Sequence, residues 1–181
     1  TKLENCPYRF GFTGTLDGST THKLVLEGLF GAVEKVTTTD ELIKKGTLAK
    51  FNIKCLELQY PDEVKQVHSK DKYQDEVDFL VRNESRNRFL RNLAISLKGN
   101  TLLLYQFVEK HGKPLHADIV NTLKNSVEKD RKVFFVSGEV DGKSREEIRH
   151  IVETQDDAII VASFGTFSTG VNIKRLHNIV F

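Results

Sequence analysis

Methionine is absent from all 181 residues, and the chain opens on Thr1. Both facts lead us to expect a piece of a longer protein, as does a close on Ile179-Val180-Phe181 that reads as mid-strand. Cysteine is scarce. Cys6 and Cys55 stand without a CxxC pair or a Cys/His cluster, so we expect a reducing intracellular setting and no structural metal. No apolar run approaches the ~20 residues of a membrane span and no signal sequence opens the chain, so no membrane partner is expected. A dominant charge is missing too: a net +2 is too small to argue for nucleic acid, and any basic surface has to be local. What remains, 39% hydrophobic and 29% charged residues, is the composition of an ordinary soluble globular protein. Its length allows one large domain, or one domain and part of another.

Complete catalytic motifs are missing as well. Val133 to Val136, followed by Ser137-Gly138-Glu139-Val140-Asp141-Gly142-Lys143-Ser144, imitates a phosphate-cradling P-loop. That motif needs four residues between its first glycine and the Gly-Lys pair, and Gly138 and Gly142 have only three. Glu139 and Asp141 would also place two carboxylates where a triphosphate must sit, a repulsion that outweighs what Lys143 adds. Asp141 or Ser144 reads instead as a helix cap. No nucleophile elbow, paired-carboxylate motif or metal-ligand spacing occurs, and His22, His68, His111, His116, His150 and His177 are scattered as surface and core histidines usually are.

What is present is a run of candidate elements. Residues 8–12 read as a strand and Thr13-Gly14-Thr15-Leu16 as the turn that leaves it. Ser19 or Thr20 caps a helix through about Phe30, with Gly31 ending it. TTTDELIKKG predicts a short helix capped by Thr39 or Asp40. Residues 51–58 alternate apolar and polar side chains as a half-buried strand does, and Pro61 stops them. A long helix is expected over residues 72–97, with Asn83 to Asn87 as the place where it would break, ending at Gly99-Asn100. From there strands at 101–107, 132–136, 158–161 and 178–181 alternate with helices at 113–127 and 144–153, the pattern of βαβ units and a parallel sheet. A domain boundary is expected between Val36 and Lys50.

The ligand sites of such a sheet lie at the carboxyl ends of its strands. The informative loops are therefore 108–112, 137–142 and 163–172. The last follows the apolar run Ala158-Ile159-Ile160-Val161-Ala162 with Ser163, Gly165, Thr166, Ser168, Thr169 and Gly170. Small hydroxyl and glycine residues there suit a phosphate contact or a loop that must move, and equally a plain polar loop capping a strand.

Three strand-end loops, taken together, resemble the later motifs of superfamily 2 helicases. Phe10-Gly11-Phe12-Thr13-Gly14-Thr15-Leu16 is similar to motif III, residues 101–108 to motif IV, and Ser163 through Asn172 to motif V. Gly138 and Arg145, with six residues between them, resemble the turn and helix that follow motif IV. The resemblance spans the whole chain and is greatest to bacteriophage members that remodel branched DNA. It implies an α/β fold: a RecA-like parallel sheet flanked by helices at 61–181, truncated before motif VI, the tail end of a first RecA-like domain at 1–38, and a crossover at 39–60.

By the same resemblance Ser163, Phe164, Gly165 and Thr166 face DNA phosphate, Gly170 and Asn172 approach the ATP side of the cleft, and Thr13, Gly14 and Thr15 couple the two at the domain interface. Val108, His111 and Lys113 join the DNA track. Phosphate contacts through N–H and hydroxyl groups hold a strand without reading its sequence, as a translocating motor requires. Arg82, Arg86, Arg88 and Arg91 add a local basic face or simply a solvated one. The expected partners are single-stranded or branched DNA and the first RecA-like domain of the same chain; the expected setting is the host bacterial cytoplasm. ATP and Mg2+ serve the full-length parent, and none is expected on this chain alone, because the Walker lysine, the Asp-Glu pair and the motif VI arginines are missing. The rival reading is a non-enzymatic α/β binding module that shares the fold.

Overall fold

The computed structural model describes residues 6–14, 20–138, 150, 152–167 and 173–181. The chain divides into two compact units, Thr1–Leu56 and Glu57–Phe181. The division lies inside the stretch 39–60 and beyond the window between Val36 and Lys50.

The first unit holds two helices, α1 (Thr20–Phe30) and α2 (Thr39–Lys44). Gly31, at φ +89°, follows α1 in the left-handed region that favours glycine. The cap of α2 is Thr38 rather than Thr39 or Asp40. Its hydroxyl accepts from Glu41 N at 3.1 Å while the Glu41 carboxylate accepts from Thr38 N at 3.3 Å, a reciprocal capping box. The strand expected at 8–12 does not form: Tyr8, Phe10 and Phe12 are 80%, 78% and 95% exposed. Residues 51–58 form no strand either, with Ile53 80% exposed. Alternation readies a segment to bury one face, but a strand exists only when a neighbour takes its N–H and C=O groups, and the described residues supply none to either segment.

The second unit is a four-stranded parallel sheet in the order β2-β3-β1-β4, from β1 (Thr101–Tyr105), β2 (Val133–Val136), β3 (Ile159–Ser163) and β4 (Asn178–Val180). Helices α3 (Asp62–His68), α4 (Tyr73–Arg82), α5 (Glu84–Ser96), α6 (Lys113–Lys124) and the short α7 (Phe164–Phe167) complete its described elements. The central strands bury both faces, which is why they read as unbroken apolar runs. Leu103, Tyr105, Ile159 and Val161 pack against Leu90 and Ala94 of α5 and Leu115, Ile119 and Leu123 of α6. Leu102, Leu104, Ile160 and Ala162 pack on the opposite face with Val136, Val152 and Ile173. This is the α/β RecA-like arrangement. The helix expected at 144–153 and its cap at Asp141 or Ser144 lie largely outside the described residues.

The helix expected over 72–97 is two helices. Asn83 is extended at ψ 110°, its Oδ1 accepts from Arg86 N at 2.9 Å, and Asn87 Nδ2 donates to Val81 O at 2.9 Å, closing an elbow. An unforeseen α3 begins after Pro61, with Asp62 and Glu63 in its first turn.

At the amino edge of the sheet, buried Asn100 joins three segments. Its Nδ2 faces the carbonyls of Val152, Gln155 and Arg175, its Oδ1 accepts from Ala158 N at 2.8 Å, and its own carbonyl accepts from His177 N and Asn178 N. Arg131 closes the same edge by donating to the carbonyls of Ile95, Leu97 and Asp157. These bonds hold the end of the sheet away from the candidate loops.

Candidate nucleic-acid interface

Parallel pairing brings the carboxyl ends of three strands to one edge. Tyr105 is level with Ser163 and Val136 with Ala162, so Ser137 and Ser163 emerge side by side, 5% and 9% exposed. Tyr105 braces them: its hydroxyl donates to Val136 O at 3.0 Å and its ring stacks on Phe135 with centroids 5.5 Å apart. A five-residue π-turn, Val108–Gly112, then leads into α6, with His111 N and Gly112 N both donating to Phe107 O. A Cβ on Gly112 would lie 2.6 Å from the Tyr105 ring, so only glycine lets the backbone cross that face.

The expected motif V loop is partly helical, since β3 runs through Ser163 and α7 follows at once. Ser163 is buried at the strand end and engaged with a neighbour. Phe164 is 49% exposed, with its ring centroid 6.5 Å from that of Phe181. Gly165 is exposed, and a Cβ there would meet nothing within 4 Å; open space beside its backbone, not packing, distinguishes the position. Thr166 contributes its backbone to α7. Gly170, Asn172 and Thr15 lie outside the described residues. Thr13 and Gly14 are exposed in the first unit, Gly14 at a bend.

After β1 the three expected residues separate. Val108 is half-buried against the core, and Lys113 is exposed and ion-paired to Glu109 one turn back. His111 is only 6% exposed, and burial, with the nearby charge of Arg86 as a second cause, pushes its imidazole down to about 4. It is neutral at physiological pH, so it offers a phosphate no charge.

The arginine run also divides. Arg91 Nη1 donates to both oxygens of Asp118 at 3.1 Å, tying α5 to α6. Arg82 and Arg88 are exposed and have no ion-pair partner among the described residues. Arg86 turns inward, and its Nη1 is buried without a hydrogen-bond partner. The run announced basic side chains, but their division follows from the phase that Asn83 sets for α5. Among the described residues no group of three or more His, Cys, Asp or Glu could hold a metal ion. No described helix is long and apolar enough to cross a membrane.

No protein-family model matches the chain. A protein of phage T4 described as the ATP-dependent DNA helicase UvsW is 34% identical over 181 residues, 98% of this chain; the chain spans only 34% of that relative's length. The crystal structure of T4 UvsW superimposes with a TM-score of 0.55 at 34% identity, over 66% of this chain and 23% of that one. Over nearly its whole length the chain is similar in sequence to about one third of the UvsW helicase of phage T4, and over two thirds of its length it is similar in fold to the T4 UvsW structure.

Proposed function

We propose that the chain is the central part of an ATP-dependent superfamily 2 DNA helicase that remodels branched DNA, such as replication or recombination intermediates, in the cytoplasm of a phage-infected bacterium. The single observation that carries this reading is 34% identity over 98% of the chain to a DNA helicase. The edge geometry supports it. Hydroxyl and glycine positions with open space at Gly165 meet at adjacent strand ends, as a sequence-independent grip on a phosphate backbone needs. Ser163, Phe164, Gly165 and Thr166 line the DNA track, with Val108 and Lys113 beside it. Gly170 and Asn172 face the nucleotide, and Thr13, Gly14 and Thr15 couple the two sites. ATP and Mg2+ depend on the first RecA-like domain, so the chain alone does not turn over ATP.

The test is fluorescence anisotropy of a labelled single-stranded oligonucleotide at low salt, alongside phosphate release with and without DNA. Wild type should bind, and the Ser163→Ala, Thr166→Ala double variant should bind roughly tenfold more weakly, as losing two neutral hydrogen bonds implies. No binding by wild type at low salt refutes the reading in favour of a non-enzymatic module, and DNA-stimulated phosphate release by the isolated chain refutes its dependence on the missing domain.

A further inference from the structure

We infer that Tyr105 is a positioning residue of the nucleic-acid interface: its hydroxyl ties the loop after β2 to the π-turn after β1 across β3, and so sets how far apart the strand-end loops stand. The inference rests on the DNA reading and adds to it a buried residue that makes no contact with DNA itself. β1 and β2 are not neighbours, because β3 lies between them in the sheet. Two strand spacings, roughly 9–10 Å, therefore separate the backbone at Tyr105 from that at Val136. Tyr105 is level with Ser163 and Val136 with Ala162, so the side chain that bonds Val136 O crosses β3 at its last two residues, where the candidate loop begins.

A side chain that spans this gap must be long, and beside Leu103, Val161 and Leu115 it must be apolar up to its tip. A phenol meets both needs, whereas a charged end would be buried unpaired. Tyr105 is only 2% exposed, and its ring is held on two sides. Phe135 stacks beside it with the ring planes 3° apart, and the Gly112 backbone lies over the hydroxyl end, where a Cβ would stand 2.6 Å from Cζ and Cε2. Close-packed groups transmit displacement, so a shift of the π-turn moves the ring, and the ring moves the Val136 carbonyl and Ser137 after it. The amino edge is tied separately by Asn100 and Arg131, so what Tyr105 holds is the carboxyl edge. One neutral hydrogen bond limits how strongly the loops are biased toward the arrangement that binds, and affinity falls with the population of that arrangement.

The test uses the 181-residue chain, a labelled oligothymidylate and hydrogen exchange. Tyr105→Phe keeps the ring and its stacking and deletes the hydroxyl. Well below its melting temperature it should bind roughly three- to tenfold more weakly, with an unchanged slope of log K against log[salt], since no cation is lost. Ile159→Val, a core truncation at the amino end of β3 with a comparable stability cost, should bind as wild type does. Added to Ser163→Ala, Thr166→Ala, the Tyr105→Phe change should weaken binding by less than about twofold more, because the groups it positions are gone. Without DNA, Tyr105→Phe should speed exchange in the π-turn and at the last residues of β2 and β3, but not at Thr101, Ala158 or Ile159 on the amino edge.

Wild-type affinity in Tyr105→Phe overturns the inference. Equal losses in Tyr105→Phe and Ile159→Val do so too, since Tyr105 would then act only through overall stability. A full loss that persists in the Ser163→Ala, Thr166→Ala background also overturns it, because Tyr105 would not be acting through those loops. If wild type binds no oligonucleotide, the DNA reading fails and the clamp is judged by exchange alone: it stands if protection drops at the carboxyl edge only, and falls if the drop is uniform or absent.

Discussion

Replacing Asn100 should remove more stability than any other single polar change at the amino edge of the sheet. Its side chain is fully buried; Nδ2 shares two hydrogens among the carbonyls of Val152, Gln155 and Arg175 at 3.2, 2.9 and 2.9 Å, and Oδ1 takes the Ala158 N–H at 2.8 Å. Asn100→Ala keeps the main-chain bonds but orphans one N–H and at least two carbonyls. At about 1–3 kcal/mol for each buried group left unpaired, less what entering water restores, the loss is about 3–5 kcal/mol. Asn100→Asp keeps the shape and the Ala158 bond but turns a carboxylate toward three carbonyl oxygens. Its folded pKa must rise above the ordinary ~3.9, so the folded state binds more protons than the unfolded one and stability falls as pH rises through that window. Urea unfolding followed by circular dichroism at pH 5 and pH 8 separates the two. Asn100→Ala should lose its midpoint equally at both pH values with an unchanged m-value, whereas Asn100→Asp should lie closer to wild type at pH 5. A loss below about 1 kcal/mol for Asn100→Ala, or an Asn100→Asp deficit that shrinks toward pH 8, refutes the reasoning.

Two further predictions concern the π-turn. Gly112→Ala puts a Cβ 2.6 Å from the Tyr105 ring, and forcing the turn or the ring aside should cost about 1–3 kcal/mol, lowering the melting temperature by roughly 2–10 °C. The cost should shrink in a Tyr105→Leu background, and additive losses would rule out the clash. His111, lowered from 6.5 to about 4, binds its proton less readily folded than unfolded, so its contribution is intact above about pH 6.5 and lost on acidification toward pH 4. Solvent screening leaves on the order of 2 kcal/mol, read as the difference between acid titrations of wild type and His111→Gln. Parallel titrations would show that His111 is not the group responsible.

The division between what could and could not be read from the residues follows the range of the interactions. The strands β1 and β3 were legible because burial on both faces leaves an unbroken apolar signature, whatever the rest of the chain does. Residues 8–12 and 51–58 carry an equally clear alternation, yet a strand needs a partner that no local pattern supplies. Asn100 reads as punctuation after a helix, whereas its amide works on carbonyls 52 to 75 residues away. The arginine run shows the same limit at the site. Four like charges in ten residues are equivalent on paper until one hydrogen bond, Asn83 Oδ1 to Arg86 N, sets the helix phase that sends Arg91 to Asp118 and Arg86 into the interior. His111 lies in the turn after β1, as its place in the sequence implies, and is buried there. The π-turn that carries it inward leaves one trace in the residues, a glycine that reads as an ordinary break until the Tyr105 ring is found beneath it. Side-chain chemistry and its position along the sheet edge are therefore local information, whereas the side to which a group points depends on caps and close approaches fixed only by the fold.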